Sequence, residues 1–405
     1  MTLTLPYKNI SIVTSARSDF GLLLPLMEAV DTHPLFELSV LATGIHFLEE
    51  FGHTIDEVNK SSICSRVINL PTGVNPETAA ETARAIGQGT NVFAKYFSAS
   101  SPDLLVILGD RFDALPAAIA ALPFRIPIAH ISGGEITEGA IDDYVRHVLS
   151  KLSHIHFAAT EEYAQRIIQL GEEPHRVHNV GEPGLDVIKQ MKFLDRIAFF
   201  ERVELTVDAK TSLFTYHPET SNPADNRSNI NNILDVAENI AGQILFTYPN
   251  GDPGSTEIIT ALENFCSKHT SAKVVPSLGR ELYLNALEHS DCVVGNSSSG
   301  IVETASFGIP TVNIGSRQKG RIQPATVIDS DCDPKNIKLA WDKALSDSFR
   351  NLVTKMINPY GDGHAVKRII SVFEENLTSG ELWQKQFHTI ASDKGQTPVM
   401  QRRQV

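Results

Sequence analysis

The chain has 405 residues, 20% of them charged and 42% hydrophobic, a globular balance that excludes wholesale disorder. That length exceeds what one hydrophobic core usually organises, so two domains are expected. Its 35 Lys and Arg against 48 Asp and Glu leave a net charge of −13, which disfavours nucleic acid and anionic membranes as partners. A few arginines in a cleft can still set a local field of opposite sign for an anionic ligand.

Short β-branched or leucine-rich runs alternate with helical patterns along the chain. Ile10 to Thr14 reads as a strand, followed by the loop Ser15 to Asp19 and by Leu22 to Val30 at helical spacing. Glu37 to Leu41 begins the next unit. Leu104 to Leu108 is uncharged, as expected of a central parallel strand covered on both faces. Pro127 to Ile131 and Ile155 to Ala159 continue the series. Two glycines and a proline in Val180 to Gly184 suit a crossover between lobes. Strands then resume at Thr211 to Tyr216, Gln243 to Thr247, Ala272 to Val275, Asp291 to Val294 and Pro310 to Ile314.

The alternation predicts an α/β fold of two Rossmann-like lobes with mainly parallel sheets and a cleft between them. The expected division is 1–180, 181–363, and 364–405 for a last amphipathic helix (Val366, Ile369, Ile370, Phe373) and a polar tail. Cys64, Cys266, Cys292 and Cys332 form no Cys-x-x-Cys pair, so neither a disulfide framework nor a cysteine zinc site is indicated, and a reducing cytoplasm is expected. Met1 to Ile10 has no basic-then-apolar leader pattern, and the longest apolar run, Leu115 to Phe124, is too short and too proline-rich to cross a bilayer.

In open α/β sheets ligands bind at the carboxyl ends of strands, and most of the unusual motifs lie there. Gly295 to Gly300 follows a strand and opens a helix-compatible run, Ile301 to Phe307. Small residues and the hydroxyls of Ser297 and Ser298 make a seat for a diphosphate, although any helix start favours such caps. Glu303 is placed to accept from ribose hydroxyls, or to sit as a surface acid in a first turn. Arg17 and Ser18 follow the first strand and would face the cleft. Asp110 and Arg111 follow the most hydrophobic strand, where a charged pair needs a partner or a ligand.

Between His130 and His147 a glycine-rich strand exit carries Glu135, Glu138, Asp142 and Asp143. Clustered carboxylates hold one another's pKa values apart, leaving one protonated as acid and one ionised as base. Helix capping by Asp142 and Asp143 is the structural alternative. No His-Glu-x-x-His or His-x-x-x-His spacing occurs in this cluster, so a metal is not expected. His217 ends a strand before Pro218, a place suited to acid–base work or phosphate binding. Asn250 also follows a strand, within a turn-forming Pro/Gly stretch.

Together these segments resemble the UDP-N-acetylglucosamine 2-epimerase family, in its hydrolysing branch. The likeness rests on Ser15–Asp19, Thr43–His46 with Phe51–Thr54, Gly109–Asp113, Gly133–Glu135 with Gly139–Asp143 and Arg146–His147, Thr215–Pro218, Pro249–Asn250, Gly295–Ser299 with Glu303, and Gly308–Gln318. It implies a glycosyltransferase-B-like fold whose last helix returns to the first lobe, a UDP-N-acetylhexosamine in the cleft, no metal or redox cofactor, and a homodimer or homotetramer. By the same resemblance Arg17, Asn250, Ser297, Ser298, Glu303 and Arg317 contact UDP, while Arg111 and His217 lie near the diphosphate. Asp110, Glu135, Asp142 and Asp143 surround the sugar, and Ser18, His46, Arg146 and Gln318 complete the binding set. Some relatives, particularly non-hydrolysing ones, carry a glutamate where this chain has Ser132.

The implied reaction is elimination followed by hydration. A base removes the C2 proton as UDP leaves C1, and water then adds across the resulting 2-acetamidoglucal to give N-acetylmannosamine. The alternatives are a non-hydrolysing epimerase, a hydrolysing enzyme for UDP-2,4-diacetamido-2,4,6-trideoxyglucose, a glycosyltransferase on the same fold, and a nucleotide-sugar-binding regulator without catalysis.

Overall fold

The computed structural model describes residues 7–49, 52–72, 78–137, 141–219, 225–249, 254–379 and 382–390. The first lobe holds a seven-stranded sheet: β1 (Lys8–Thr14), β2 (Phe36–Ala42), β3 (Val67–Asn69), β4 (Leu104–Leu108), β5 (Ile128–Ile131), β6 (Ile155–Ala158) and β7 (Val177–Asn179), in the order β3-β2-β1-β4-β5-β6-β7. The second holds six: β8 (Thr211–Thr215), β9 (Gln243–Thr247), β10 (Ala272–Val275), β11 (Cys292–Gly295), β12 (Thr311–Ile314) and β13 (Val327–Ser330), in the order β10-β9-β8-β11-β12-β13. Every pairing is parallel; Ile12 lies opposite Val40 and Val106, and Val294 opposite Phe214 and Val312.

Strands of a parallel sheet are covered on both faces, so their alternate residues feed different cores. Val106 joins Ile10, Ile12 and Leu38 under the Arg17–Asp31 helix, whereas Leu105 and Ile107 pack with Phe93 and Phe97 on the other side. The second lobe repeats the plan: Phe214 packs with Phe246 and Trp341, and Leu213 with Phe199, Phe200 and Leu287. The Ala365–Ser379 helix sends Val366, Ile369, Val372 and Phe373 into the first lobe's core. Asp186 fixes its start, accepting from the backbone N–H groups of Ala365 (2.9 Å) and Val366 (2.8 Å). The chain thus returns from the second lobe to the first.

The structure differs from the sequence reading in three ways. The first helix begins at Arg17 rather than Leu22, because Asp19 accepts from the Ser15 amide (3.1 Å) and hydroxyl (2.6 Å) and closes the turn before it. Strands β3, β7 and β13 carry no clear sequence signal; each is three or four residues long, at a sheet edge and only partly buried. The Ile301–Phe307 run is broken into Ser299–Val302 and Thr304–Phe307 at Glu303. Among the described residues no helix is long and apolar enough to cross a membrane.

Candidate functional site

Strand order reverses between β1 and β4 in the first sheet and between β8 and β11 in the second, and the loops leaving these strands form the site. At the first reversal the Arg111 guanidinium donates through Nε to Ser15 Oγ (3.2 Å) and through Nη2 to Asp113 Oδ2 (2.8 Å), with Asp19 at 3.9 Å. Burial alone would lower the Arg111 pKa, but Asp19, Asp113 and Asp142 carry it above the ordinary arginine value. Arg17 and Ser18 lie exposed on the first helical turn. Arg17 pairs with Glu57 (3.1 Å) and reaches across to Ser277 Oγ of the second lobe (3.4 Å). His46 is buried, its Nε2 beside Thr14 Oγ1 (3.0 Å) and its Nδ1 beside Thr54 Oγ1 (2.8 Å). Burial takes its pKa down to about 4, so at neutral pH it is an uncharged tie between the β1 and β2 exits.

The acidic cluster is built by the exits of β4 and β5 and by the Ile141–Leu152 helix. After β5 the chain turns through Ser132 (φ +59°) and Gly134 (φ +78°), where a Cβ on the glycine would stand 2.3 Å from the Tyr163 carbonyl oxygen. This turn delivers Glu135 to the interior, 3.2 Å from Arg321 Nη1 and 3.8 Å from Arg146 Nη1. Arg146 Nη2 in turn pairs with Asp110. A continuous ion-pair chain, Asp110–Arg146–Glu135–Arg321, therefore runs from the β4 exit of the first lobe to the loop after β12 of the second. Burial, then Arg321, lowers the Arg146 pKa to about 9, which still leaves it charged at neutral pH. Burial raises the Glu135 pKa against the opposing pull of Arg321. Asp143 accepts from the Thr137 amide (2.8 Å) and lies 3.7 Å from His147, so it holds the loop that enters the helix. Asp142 sits in the first turn of the same helix, within electrostatic reach of Arg111.

In the second lobe Asn296 stitches three strand exits together. Its Oδ1 accepts from the His217 amide (2.6 Å) and its Nδ2 donates to the His217 carbonyl (2.8 Å). Its own carbonyl accepts from Gln318 Nε2 (2.8 Å) and Arg317 Nη1 (3.4 Å). Gly295 (φ +132°) makes this junction possible, since a Cβ there would stand 1.9 Å from the Thr215 carbonyl oxygen. Ser297 and Ser298, half-buried, follow directly. The following helix is only four residues long, so its macrodipole is small, and an anion here would be met mainly by amides and hydroxyls. Glu303 is buried, paired with Arg280 and accepting from Ser299 Oγ, while Arg280 Nη2 donates to the Gly184 carbonyl (3.0 Å). Asn250 and Glu138 lie outside the described residues.

Asp110, Glu135, Arg146 and Arg111 are thus brought together on one side, and His217, Ser297, Ser298, Arg317 and Gln318 on the other. Sequence reasoning missed Arg321, three residues beyond the last matching segment, and Glu182, which lay inside a stretch read as a crossover. It also missed the joint where Tyr163 Oη lies 3.1 Å from Tyr360 Oη and accepts from the Ile322 amide (3.0 Å). A cavity of about 850 Å³ lies elsewhere, against residues 382–386. Arg176 lines it and donates to the Leu382 and Gln384 carbonyls, and Glu172 accepts from Lys385, so both are committed to holding that segment in place.

Two parallel-sheet lobes with facing strand exits make the fold glycosyltransferase-B-like. A crystal structure of the Neisseria meningitidis UDP-N-acetylglucosamine 2-epimerase bound to UDP-N-acetylglucosamine superposes with a TM-score of 0.77 at 17% identity, covering 91% of this chain and 100% of that one. The sequence profile of the UDP-N-acetylglucosamine 2-epimerase family matches residues 28–374, and the chain belongs to that family. It is similar to the GDP/UDP-N,N'-diacetylbacillosamine 2-epimerase (hydrolyzing) of Campylobacter jejuni, at 34% identity over 94% of this chain and 98% of that protein. It is also similar to the UDP-N,N'-diacetylbacillosamine 2-epimerase (hydrolyzing) of Legionella pneumophila, at 35% identity over 89% of this chain and 94% of that protein.

Proposed function

We propose that this protein is a hydrolysing 2-epimerase that converts a UDP-N-acetylhexosamine and water into UDP and the free C2-epimeric sugar. The observation that carries the reading is the Asp110–Arg146–Glu135–Arg321 chain, which joins the first lobe's carboxylates to the loop beside the second lobe's diphosphate seat. The C2 hydrogen of such a sugar is not acidic, so its removal must accompany departure of UDP from C1. That demands cationic groups around the diphosphate and at least two carboxyl groups to move protons. Arg17, Arg111, Arg317 and His217 serve the first need; Asp110, Glu135 and Asp142 serve the second, with Asp143 shaping their loop. Ser297, Ser298, Asn250, Glu303 and Gln318 hold the nucleotide, and Ser18, His46 and Arg146 support the sugar side. Positioned acid–base catalysis contributes roughly 10²–10⁴-fold, and diphosphate stabilisation a comparable share.

The family resemblance favours UDP-N-acetylglucosamine as substrate, giving N-acetylmannosamine, a precursor for sialic acid synthesis. A second reading, a UDP-2,4-diacetamido-2,4,6-trideoxyhexose on the legionaminic acid route, is favoured by the diacetylbacillosamine activity named for the relatives at 34–35% identity. The reading includes cytoplasmic action, supported by four free cysteines, and the three-part division at residues 180 and 363. It also includes a homodimer or homotetramer, supported by Ile141, Tyr144 and Val148, which form one exposed apolar stripe.

Incubation with each nucleotide sugar in D₂O, followed by NMR, tests the reading. Free C2-epimeric sugar carrying deuterium at C2 is expected; a UDP-linked epimer with no free sugar would overturn hydrolysis, and no turnover of either would overturn the function.

A further inference from the structure

Glu182 is a buried carboxyl group that the groups discussed so far leave without a task. It follows β7, and its Oε2 accepts from Ser132 Oγ at 2.9 Å. Ser132 is itself unusual, a non-glycine residue at φ +59°, a conformation that persists where the surroundings fix it. The charged groups around Glu182 are Glu135 from the β5 exit, Arg321 and Glu303 from the second lobe, and Arg146 from the Ile141–Leu152 helix. Arg321 and Arg146 are committed to Glu135 and Asp110 through direct pairs. Glu182 has a hydroxyl rather than a guanidinium as its hydrogen-bond partner. In the sheet, β4 and β7 stand on opposite sides of β5, so Asp110 and Glu182 approach the Glu135 position from opposite flanks. Burial, then repulsion from Glu135, raises the Glu182 pKa to about 7, so the neutral acid is well populated at physiological pH.

Resting on the hydrolysing 2-epimerase reading, we propose that Glu182 is the acid that protonates C2 of the 2-acetamidoglucal in the hydration step. The C1=C2 π pair forms the new C2–H bond as the Glu182 O–H bond breaks. The oxygen of water bonds to C1, and the proton that water loses passes to a carboxylate on the Asp110 side, which had released the C2 proton of the elimination to solvent. Glu182 regains its proton from solvent, so hydrogen and hydroxyl are added once each. An acid and a base on opposite flanks suit an inversion at C2, since the proton leaves one face and arrives on the other.

The test compares wild type, Glu182→Gln, Glu182→Asp and Ser132→Ala on the nucleotide sugar that wild type turns over, following UDP, 2-acetamidoglucal and free sugar by NMR across pH 5–9. Glu182→Gln is expected to bind UDP as wild type does, release 2-acetamidoglucal, and form free sugar roughly 100-fold more slowly; Glu182→Asp should recover part of that loss. Ser132→Ala removes a bond that favours the ionised carboxylate, so the basic limb of the free-sugar profile should move to higher pH. Free-sugar formation by Glu182→Gln within about threefold of wild type would overturn the assignment. If that variant fails to bind UDP or to fold, the Ser132→Ala profile decides: a shifted limb supports the proposal and an unshifted one overturns it. No UDP release by wild type would overturn the function itself, a result distinct from active wild type with an unaffected Glu182→Gln.

Discussion

Replacing Arg321 with Met removes the second-lobe end of the ion-pair chain while keeping most of the side chain's bulk. Arg321 stands 3.2 Å from Glu135, with side-chain exposures of 18% and 5%. At an effective dielectric of 20 the gross attraction at this distance is about 5 kcal/mol, and removing one partner of a buried pair typically costs about 3–5 kcal/mol. Two features reduce the loss: Arg146 still faces Glu135 at 3.8 Å, and the carboxyl can protonate. A destabilisation of about 3 kcal/mol at pH 8 is therefore expected. The sign of the pH dependence follows from Glu135. Burial already raises its folded pKa, and loss of Arg321 raises it further. The folded variant therefore binds a proton more tightly than its unfolded chain, and the deficit shrinks as pH falls through the raised value. Urea unfolding followed by circular dichroism at pH 8 and pH 5 measures this, with Arg321→Lys recovering part of the loss. A deficit below about 0.5 kcal/mol at pH 8, or an equal deficit at both pH values, would refute the reasoning.

Asp110→Asn and Asp142→Asn should each lower turnover by about 10²-fold or more while UDP affinity by calorimetry changes little; unchanged turnover would remove that residue from the chemistry. Arg317→Met should weaken UDP binding by about tenfold or more, equivalent to about 1.4 kcal/mol, with kcat less affected. Asn296→Ala removes both of its bonds to the His217 backbone and should cost about 2 kcal/mol in urea unfolding, along with UDP affinity. Glu172 is opposed by burial, but hydrogen bonds from His156, Lys151 and Lys385 hold its pKa at about 2 against an ordinary 4.5. Its stabilisation is present above pH 4.5 and lost as pH falls towards 2. Glu172→Gln should therefore loosen the 382–390 segment at neutral pH, read from the fluorescence of Trp383, which stacks on His154.

The fold was legible where burial is complete on both faces. The Leu104–Leu108 and Gln243–Thr247 strands agree with the sequence reading to the residue, because uncharged β-branched and leucine-rich runs bounded by turn formers have few other uses; Ala272–Val275, a partly buried edge strand carrying Lys273, agrees as well through its two valines. Strands β3, β7 and β13 were not legible, since a partly exposed edge strand of three or four residues needs no hydrophobic run. The site was legible as separate strand exits, because charged and small residues directly after hydrophobic strands are conspicuous. What the sequence hid was pairing at long range. The Ser132 departure is visible in the chain, but its partner Glu182 lies 50 residues on, disguised by the Gly and Pro around it. Arg321 was hidden for the same reason: nothing local marks an arginine whose partner belongs to the other lobe.

The arrangement also reconciles a chain of net charge −13 with an anionic ligand. Long-range steering is unfavourable, so the attraction must be local, and three guanidinium groups in the site rest against protein carboxylates: Arg111 on Asp113, Arg146 on Asp110, Arg321 on Glu135. These partners lower the self-repulsion of clustered cations within one cleft, and they keep the fork of each guanidinium oriented before a ligand arrives. The same pairs divide the acids. A guanidinium partner biases a carboxyl towards its charged form, while burial biases one towards its neutral form even where, as at Glu182, a hydroxyl bond pulls the other way. Asp110 pairs with Arg146 and Glu182 accepts from Ser132, and on our reading that difference in partner separates the proton-accepting flank of β5 from the proton-donating one.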